Sequence, residues 1–363
     1  MKNSQKYIIM VAGGTGGHIY PAVVLAEELI SVGYNVIFFI NNNLISKEIL
    51  KISNFKYITF DIINIPKKFS LLFVLFFIKL TFVFLKSLKQ MLILKPLAII
   101  GTGGCISVPV VVAAKILKKT IFIHEQNAIP GKANIFLSKI SDRIFLSFSC
   151  SKEYFKNKNV FIFGYPIRKN ILMTSKKQSI KKLNLKKRIF TILVFGGSLG
   201  SFNFNKIICE TLLDLIYKNV KIQILHISGF NDYIFIKKQI RGFENSNYKL
   251  FRYMHNISYA YAASDIVICR AGAGTVFELL ALNKSAILVP YSYATDNHQY
   301  WNAKQIEKNN KIIIINEKDL NKKHLSEIIY MFKKKNINKK ISKNTFIYPQ
   351  KLILNDIKKY IRY

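Results

Sequence analysis

Residues Val11–Leu29 read VAGGTGGHIYPAVVLAEEL. The apolar run YIIMVA, begun at Tyr7, leads into four glycines, a threonine and a histidine, and a helix-like stretch follows. Glycine permits positive φ and removes the side chain that would keep backbone away from a ligand. An apolar strand, a glycine loop and then a helix is the repeating unit of a parallel sheet covered on both faces, where loops gather at the carboxyl ends of the strands. The unit recurs in LAIIGTGG (Leu97–Gly104) followed by VPVVVAAKILKK, in IFTILVFGGSLGS (Ile189–Ser201), and in DIVICRAGAGT (Asp265–Thr275). Shorter runs such as YNVIFFI, TIFIHEQN, RIFLSF, VFIFGYP, KIQILHISG and SAILVPYSY add further strands. Apolar strands alternating with helices predict an α/β protein.

The alternation breaks once. Between Arg168 and Arg188 the chain is lysine-rich and irregular, and then the pattern restarts. The 363 residues suffice for two domains. The predicted organisation is a first domain over 1–167, a connection over 168–188, a second domain over 189–340, and a basic helical tail over 341–363 that packs back on the first domain.

Composition and motif details exclude several classes. The four cysteines are far apart and show no CxxC spacing, which argues against a zinc site or a disulfide scaffold. A Walker A loop needs Gly-Lys-Ser/Thr, but His18 follows Gly17. A dinucleotide fingerprint would place glycine at Ile19 and an acidic residue where Asn41, Asn42 and Asn43 stand. No Asp-x-Asp pair or metal-spaced cluster occurs, so no metal or other cofactor is expected. Met1–Lys6 is polar and Tyr7–Ala12 is too short for an h-region, so no secretory signal is expected. The net charge is +36, but only seven of 55 basic residues are arginine, and lysine keeps company with Ile, Asn, Phe and Tyr. That is the mark of codon bias in an AT-rich genome. No nucleic-acid motif accompanies the charge, so nucleic acid is not an expected partner and an anionic membrane is the better one.

The segment SLLFVLFFIKLTFVFL (Ser70–Leu85) bears on the membrane question. It is interrupted by Lys79 and is flanked by Lys67, Lys68, Lys86 and Lys89. It falls short of the ~20 apolar residues that span a bilayer. A helix lying in the membrane interface and a buried core helix both fit it.

The second half carries a nucleotide signal. After Arg270 the loop runs through Gly272 and Gly274 into a helix bearing Glu278. A carboxylate there can accept from both hydroxyls of a ribose, while helix N–H groups face phosphates. His298 and Gln299, in YATDNHQYWNA, are placed to reach a sugar, and Asp296 to cap the following helix. Arg168, in GYPIR, is a cation for a leaving diphosphate.

Together these residues resemble the peptidoglycan N-acetylglucosaminyltransferases, the family that converts lipid I to lipid II. The resemblance rests on Gly13–His18 with Pro21, Gly101–Gly104 with Ser107 and Pro109, and Gly196–Gly200. It also rests on HEQNAIPGKAN (His124–Asn134), DIVICRAGAGTVFE and DNHQYWNA, and it spans about Tyr7–Ile315. It implies a GT-B fold, two Rossmann-like domains facing a cleft. It implies inverting transfer of N-acetylglucosamine from UDP-N-acetylglucosamine to the 4-hydroxyl of the N-acetylmuramoyl group of undecaprenyl-linked lipid I. The donor would meet Ser198, Met254, Ala273, Gly274, Thr275, Val276, Phe277, Glu278, His298, Gln299 and Arg168. Thr15, Gly16, Gly17 and Asn127 would complete its site. The acceptor pyrophosphate would lie near Gly14, Gly103 and Gly104. His18 is the first candidate for the general base and Glu125 the second, while His124 reads as core. Phe73, Phe76, Phe77 and Phe84 would face anionic inner-leaflet phospholipid. The location implied is peripheral, on the cytoplasmic face of the bacterial plasma membrane, with other cell-wall enzymes as further partners. Leu199, Cys105 and Phe277 depart from the family pattern. Two alternatives stay open: a GT-B transferase with another membrane-lipid acceptor, and a non-catalytic nucleotide-binding module on the membrane surface.

Overall fold

The computed structural model describes residues 6–14, 16–63, 71–156, 159–243, 247–334 and 348–361. They fall into two units. The first takes the described residues up to Ile167 together with the C-terminal helix, and the second begins at Arg168.

The first unit holds a seven-stranded sheet: β1 (Tyr7–Ala12), β2 (Asn35–Asn41), β3 (Lys56–Phe60), β4 (Ala98–Gly101), β5 (Thr120–Glu125), β6 (Arg143–Leu146) and β7 (Val160–Ile162). All pairs are parallel, in the order β3-β2-β1-β4-β5-β6-β7. The inner strands are mostly apolar because both faces are covered. Ile8, Met10 and Ala12 point to one face, where the helix Gly16–Ser31 brings Ala22, Leu25 and Leu29 and the helix Pro349–Ile361 brings Ile353 and Ile357. Ile9 and Val11 point to the other, under Val83 and Met91 of the helix Leu71–Leu94 and Val110 and Ala114 of the helix Ser107–Ile116. Alternate side chains therefore serve alternate layers.

The second unit repeats the plan with β8 (Phe190–Phe195), β9 (Ile222–Ile227), β10 (Tyr248–Phe251), β11 (Ile266–Cys269), β12 (Ser285–Leu288) and β13 (Ile312–Ile314), in the order β10-β9-β8-β11-β12-β13. Its core joins Ile192, Val194, Ile224 and Ile268 to Phe204, Ile208 and Leu212 of the helix Phe202–Tyr217 and to Leu325 and Ile329 of the helix Lys322–Lys334. The strand order reverses between β1 and β4 in one sheet and between β8 and β11 in the other. Ligands of such sheets bind at these switch points. The expected α/β architecture of two Rossmann-like sheets is the one observed.

Three details differ from the sequence reading. The lysine-rich stretch after Arg168 is not irregular: Lys169–Met173 and Lys176–Lys182 are helical and belong to the second unit. The apolar helix is longer than expected, 24 residues over Leu71–Leu94, and it is the one described helix long and apolar enough to cross a membrane. Its register also corrects a membrane-facing assignment. Phe76, Val83, Ser87 and Met91 recur on one buried face, with Phe76 only 6% exposed, and Phe84 packs partly on the core. Leu71, Val74, Phe77, Ile78, Phe82 and Leu85 are exposed instead, Phe82 by 68%. Phe73 is half-buried, and Lys67 and Lys68 lie outside the described residues. The four cysteines are free.

Each unit buries a neutral histidine. His124 accepts or donates within reach of Gln126 Nε2 (3.2 Å) and Ser147 Oγ (3.4 Å). Burial pushes it down to about 4. His226 sits between Tyr248 Oη (2.6 Å) and Asn205 Oδ1 (3.1 Å), and burial pushes it down to about 3. A folded-state pKa below the unfolded value means that the unfolded chain binds the proton first. Stability is therefore whole above about pH 6.5 and falls as the pH drops below it. At pH 5 each histidine costs about 2 kcal/mol. Thermal midpoints between pH 7 and pH 5 should drop accordingly, and His226→Gln, which cannot titrate, should flatten the fall. A level profile in the native protein would contradict this account.

Candidate active site

At the switch point of the first sheet, two glycine loops press together. Gly13 N–H donates to Gly103 O (3.2 Å). A Cβ on Gly104, whose φ is +88°, would stand 2.9 Å from Gly13 Cα. That contact and that φ are why Gly104 is glycine, while a Cβ on Gly13 would stand 2.8 Å from Ile106 Cγ2. His18 lies in the first turn of the helix Gly16–Ser31, and its ring rests on Gly103, where a Cβ would meet Cε1 and Nδ1 at 3.1 Å. Its Nδ1 lies 2.8 Å from Thr102 O. A carbonyl only accepts, so Nδ1 carries the hydrogen and Nε2 holds the lone pair. Thr102 Oγ1 donates back to His18 O (2.9 Å), and Gln126 Nε2 donates to Thr102 O (2.7 Å). Burial lowers the His18 pKa, against the bonds to Thr102 and Gln126, and the positive helix end acts in the same direction as burial. The result is a half-buried imidazole, neutral at pH 7 and held in one tautomer.

Glu125 does not have that freedom. It is buried at the end of β5, and both carboxylate oxygens are taken. Oε1 accepts from Asn127 N–H (2.9 Å) and Nδ2 (3.4 Å), and Oε2 from Gly131 N–H (3.1 Å) and Asn134 Nδ2 (2.8 Å). Burial raises its pKa while these bonds oppose the rise. The carboxylate clasps the loop 127–134, and Asn127, an expected donor contact, shares in that clasp. Gly14 is exposed, but Gly103 is buried under His18 and its carbonyl takes Gly13 N–H and Ser107 Oγ. Gly103, expected near the pyrophosphate, thus also packs the two loops together. Gly16 and Gly17 open the helix, Gly17 exposed; Thr15 lies outside the described residues.

At the second switch point, the helix Ala273–Ala281 starts from Gly272. Val276 is in the core and spends its N–H on Gly272 O (3.0 Å), so neither its side chain nor its N–H is available to a donor, contrary to expectation. The N–H groups before it have no partner within the helix. Gly274, Thr275 and Phe277 are half-buried and Ala273 is buried. Glu278 is buried in the second turn, and Arg168 Nη2 lies 2.8 Å from its Oε1. Arg168, expected on a diphosphate, here orients the carboxylate expected on the ribose. Ser198 and Met254 are half-buried in the loops after β8 and β10. His298 is half-buried, with Nδ1 2.8 Å from Thr295 O. Gln299 faces the backbone: its Oε1 accepts from Ala271 N–H (3.2 Å) and Tyr291 N–H (3.1 Å), joining two strand-end loops. Asp296 does not cap the next helix; Asn297 precedes it without a side-chain bond.

Sequence reasoning gave no role to Arg270, Asn134, Gln126 or Thr102. The one available signal was Arg270 itself, a lone charge ending the apolar run IVIC. Beside Arg270, with Gly200, Asp232, Tyr291, Tyr293 and Glu317, the second unit opens a cavity of about 550 Å³. Among the described residues no group of three or more His, Cys, Asp or Glu is placed to hold a metal ion.

Comparison with known proteins agrees with this geometry. Residues 8–146 match the glycosyltransferase family 28 N-terminal domain and residues 191–358 its C-terminal domain. The UDP-N-acetylglucosamine–N-acetylmuramyl-(pentapeptide) pyrophosphoryl-undecaprenol N-acetylglucosamine transferase of Halothermothrix orenii is 37% identical over 332 residues, 89% of each chain. The enzyme of the same name from Wigglesworthia glossinidia brevipalpis is 34% identical over 92% of this chain and 91% of its own. The crystal structure of Acinetobacter baumannii MurG has the same fold, with a TM-score of 0.67 at 24% identity over 90% of this chain and 91% of that one. Two sheets with matched switch points, both domain signatures in order and relatives of one name along nearly the whole length lead to one conclusion: the chain belongs to glycosyltransferase family 28, among the UDP-N-acetylglucosamine–N-acetylmuramyl-(pentapeptide) pyrophosphoryl-undecaprenol N-acetylglucosamine transferases.

Proposed function

We propose that this chain moves N-acetylglucosamine from UDP-N-acetylglucosamine to the 4-hydroxyl of the N-acetylmuramoyl group of lipid I, giving lipid II with inversion at the anomeric carbon. The observation that carries the mechanism is the oriented, neutral His18 at a sheet switch point in a chain of this family. The acceptor oxygen forms its bond to the anomeric carbon as the bond from that carbon to the β-phosphate oxygen breaks. His18 Nε2 takes the hydroxyl proton, and UDP leaves with the bonding pair. In the second unit, Glu278 accepts the ribose hydroxyls, held in place by Arg168. The N–H groups that open the helix Ala273–Ala281 face the diphosphate. Gly14 and Gly17 offer open backbone toward the acceptor's phosphates.

The acceptor places the enzyme at the cytoplasmic face of the plasma membrane, as a peripheral protein. The helix Leu71–Leu94 supports this reading: one face packs on the sheet and the other exposes Leu71, Val74, Phe77, Phe82 and Leu85. Lys86 Nζ, which donates to Thr59 O (2.8 Å), ties it to the first unit along its side. A helix so tied lies in the interface rather than across the bilayer, and the surrounding lysines favour anionic lipid.

Labelled UDP-N-acetylglucosamine incubated with lipid I tests the proposal, and label should appear in lipid II. Transfer only to a different polyprenyl or glycerolipid acceptor would replace this reading with another GT-B transferase, and UDP binding without turnover would leave a nucleotide-binding module. Glu278→Gln removes a charged acceptor from the ribose and should raise the donor KM about 10- to 100-fold. A donor KM within twofold of the native value would remove Glu278 from the site.

A further inference from the structure

Arg270 is enclosed by bonding partners. It is 5% exposed at the end of β11. Nη1 donates to Val289 O (3.1 Å) and Pro290 O (3.3 Å), at the end of β12. Nη2 donates to Ser201 Oγ (2.5 Å), in the loop after β8, and to the Glu317 carboxylate, after β13. The guanidinium lies against the rings of Phe204 (4.8 Å) and Tyr291 (5.2 Å). Glu317 in turn accepts Ser292 N–H on its second oxygen (3.0 Å). An arginine kept for an anionic ligand presents free donors. Here all four Nη hydrogens have protein acceptors, the one donor without a partner, Nε–H, is buried out of a ligand's reach, and the charge is already matched by a carboxylate.

We propose that Arg270 is a positioning residue that locks the loops after β8, β11, β12 and β13 into one frame, and so shapes the donor site without touching the donor. Its bearing on the donor rests on the reading that the second unit binds UDP-N-acetylglucosamine. The frame includes the loop Gly196–Ser201 and, through Gln299, the backbone at Ala271 and Tyr291. Glu317 belongs to the strut. Burial pushes its carboxyl up, but the bonds from Arg270 and Ser292 and the charge of Arg270 outweigh that and hold it below the ordinary value. Lysine cannot replace the strut, because a single ammonium lacks the planar fork that reaches several loops at once.

The charge balance supplies a discriminating test. Glu317→Gln frees the positive charge of Arg270. If Arg270 bound the diphosphate directly, UDP would bind more tightly to this variant. As a strut, the variant binds UDP about tenfold more weakly by calorimetry, and Glu317→Asp, which keeps the charge, recovers most of the loss. Arg270→Lys weakens UDP at least as much, and adding Glu317→Gln to it costs little more, since both break one frame. Amide hydrogen exchange in the ligand-free protein should quicken about tenfold at Ala271, Tyr291 and Ser292 in each variant. If Arg270→Lys fails to fold, Glu317→Gln and Ser201→Ala carry the test, because both keep the arginine. Tighter or unchanged UDP binding in Glu317→Gln overturns the proposal. If the native protein binds no UDP, the donor reading falls on its own, and hydrogen exchange decides the strut: unchanged rates at the three amides overturn it.

Discussion

His18→Ala should lower kcat for transfer to lipid I about a thousandfold, the middle of the range for a lost general base, while UDP affinity stays within about twofold. The argument rests on orientation. Thr102 O accepts the Nδ1 hydrogen, Gly103 supports the ring, and the basic lone pair is left on Nε2. A base must be unprotonated to act, and burial lowers the pKa of His18. The acid limb of kcat/KM therefore lies below about pH 6.5, and activity is level from there through neutral pH. Glu125→Gln separates the two carboxyl and imidazole candidates. It loosens the loop 127–134 and lowers the rate, but the acid limb stays in place. Loss of that limb in Glu125→Gln, or a His18→Ala enzyme retaining more than about a tenth of native kcat, would move the base role away from His18.

The inner strands were legible because burial on both faces makes them mostly apolar, as in Ile8–Ala12 and Ile192–Phe195, whereas the partly exposed edge strands Lys56–Phe60 and Tyr248–Phe251 carry lysine and do not announce themselves. The glycine loops marked the strand ends: Gly104 must approach Gly13 closely, and only glycine allows it. What a strand end does with its side chains was less legible. Gln299 and Val276 sit where the motif puts them, but one faces backbone and the other faces the core. A motif fixes position along the chain, whereas orientation depends on partners far away in sequence. The pair of Arg168 and Glu278, 110 residues apart, is of that kind. So is the commitment of Glu125 to its loop. The helix Leu71–Leu94 runs past the apolar segment Ser70–Leu85 because Lys86 and Lys89 end only the linear apolar run. On a helix they do not interrupt the buried stripe of Phe76, Val83, Ser87 and Met91.

Deleting the chain after Tyr348 should unfold the first unit at physiological temperature while leaving the second unit's transition in place. The helix Pro349–Ile361 is remote in sequence from the sheet it covers, yet Ile353, Leu354 and Ile357 are buried in the first unit's core beside Ile8, Met10 and Phe38. Exposing that layer removes three large aliphatic side chains from contact, about 6 kcal/mol at ~2 kcal/mol each. Polar losses add to this. Gln350 Nε2 donates to Ile167 O (3.0 Å) and its Oε1 accepts Ile167 N–H (3.3 Å), so the deletion strands two buried backbone groups. Arg143, which pairs with Asp356 (3.3 Å) and lies between the rings of Phe161 and Tyr360, loses its charge partner and one ring face. These losses approach the whole stability of an ordinary domain, about 5–15 kcal/mol. The second unit has its own core and keeps every residue of it. Calorimetry of the shortened chain should therefore show the first unit's transition lowered by at least about 15 °C or absent. Gln350→Ala in the full chain gives a graded version, with a fall of about 2 kcal/mol. A shortened chain that melts within about 2 °C of the native one would mean that the helix contributes little to the sheet it covers.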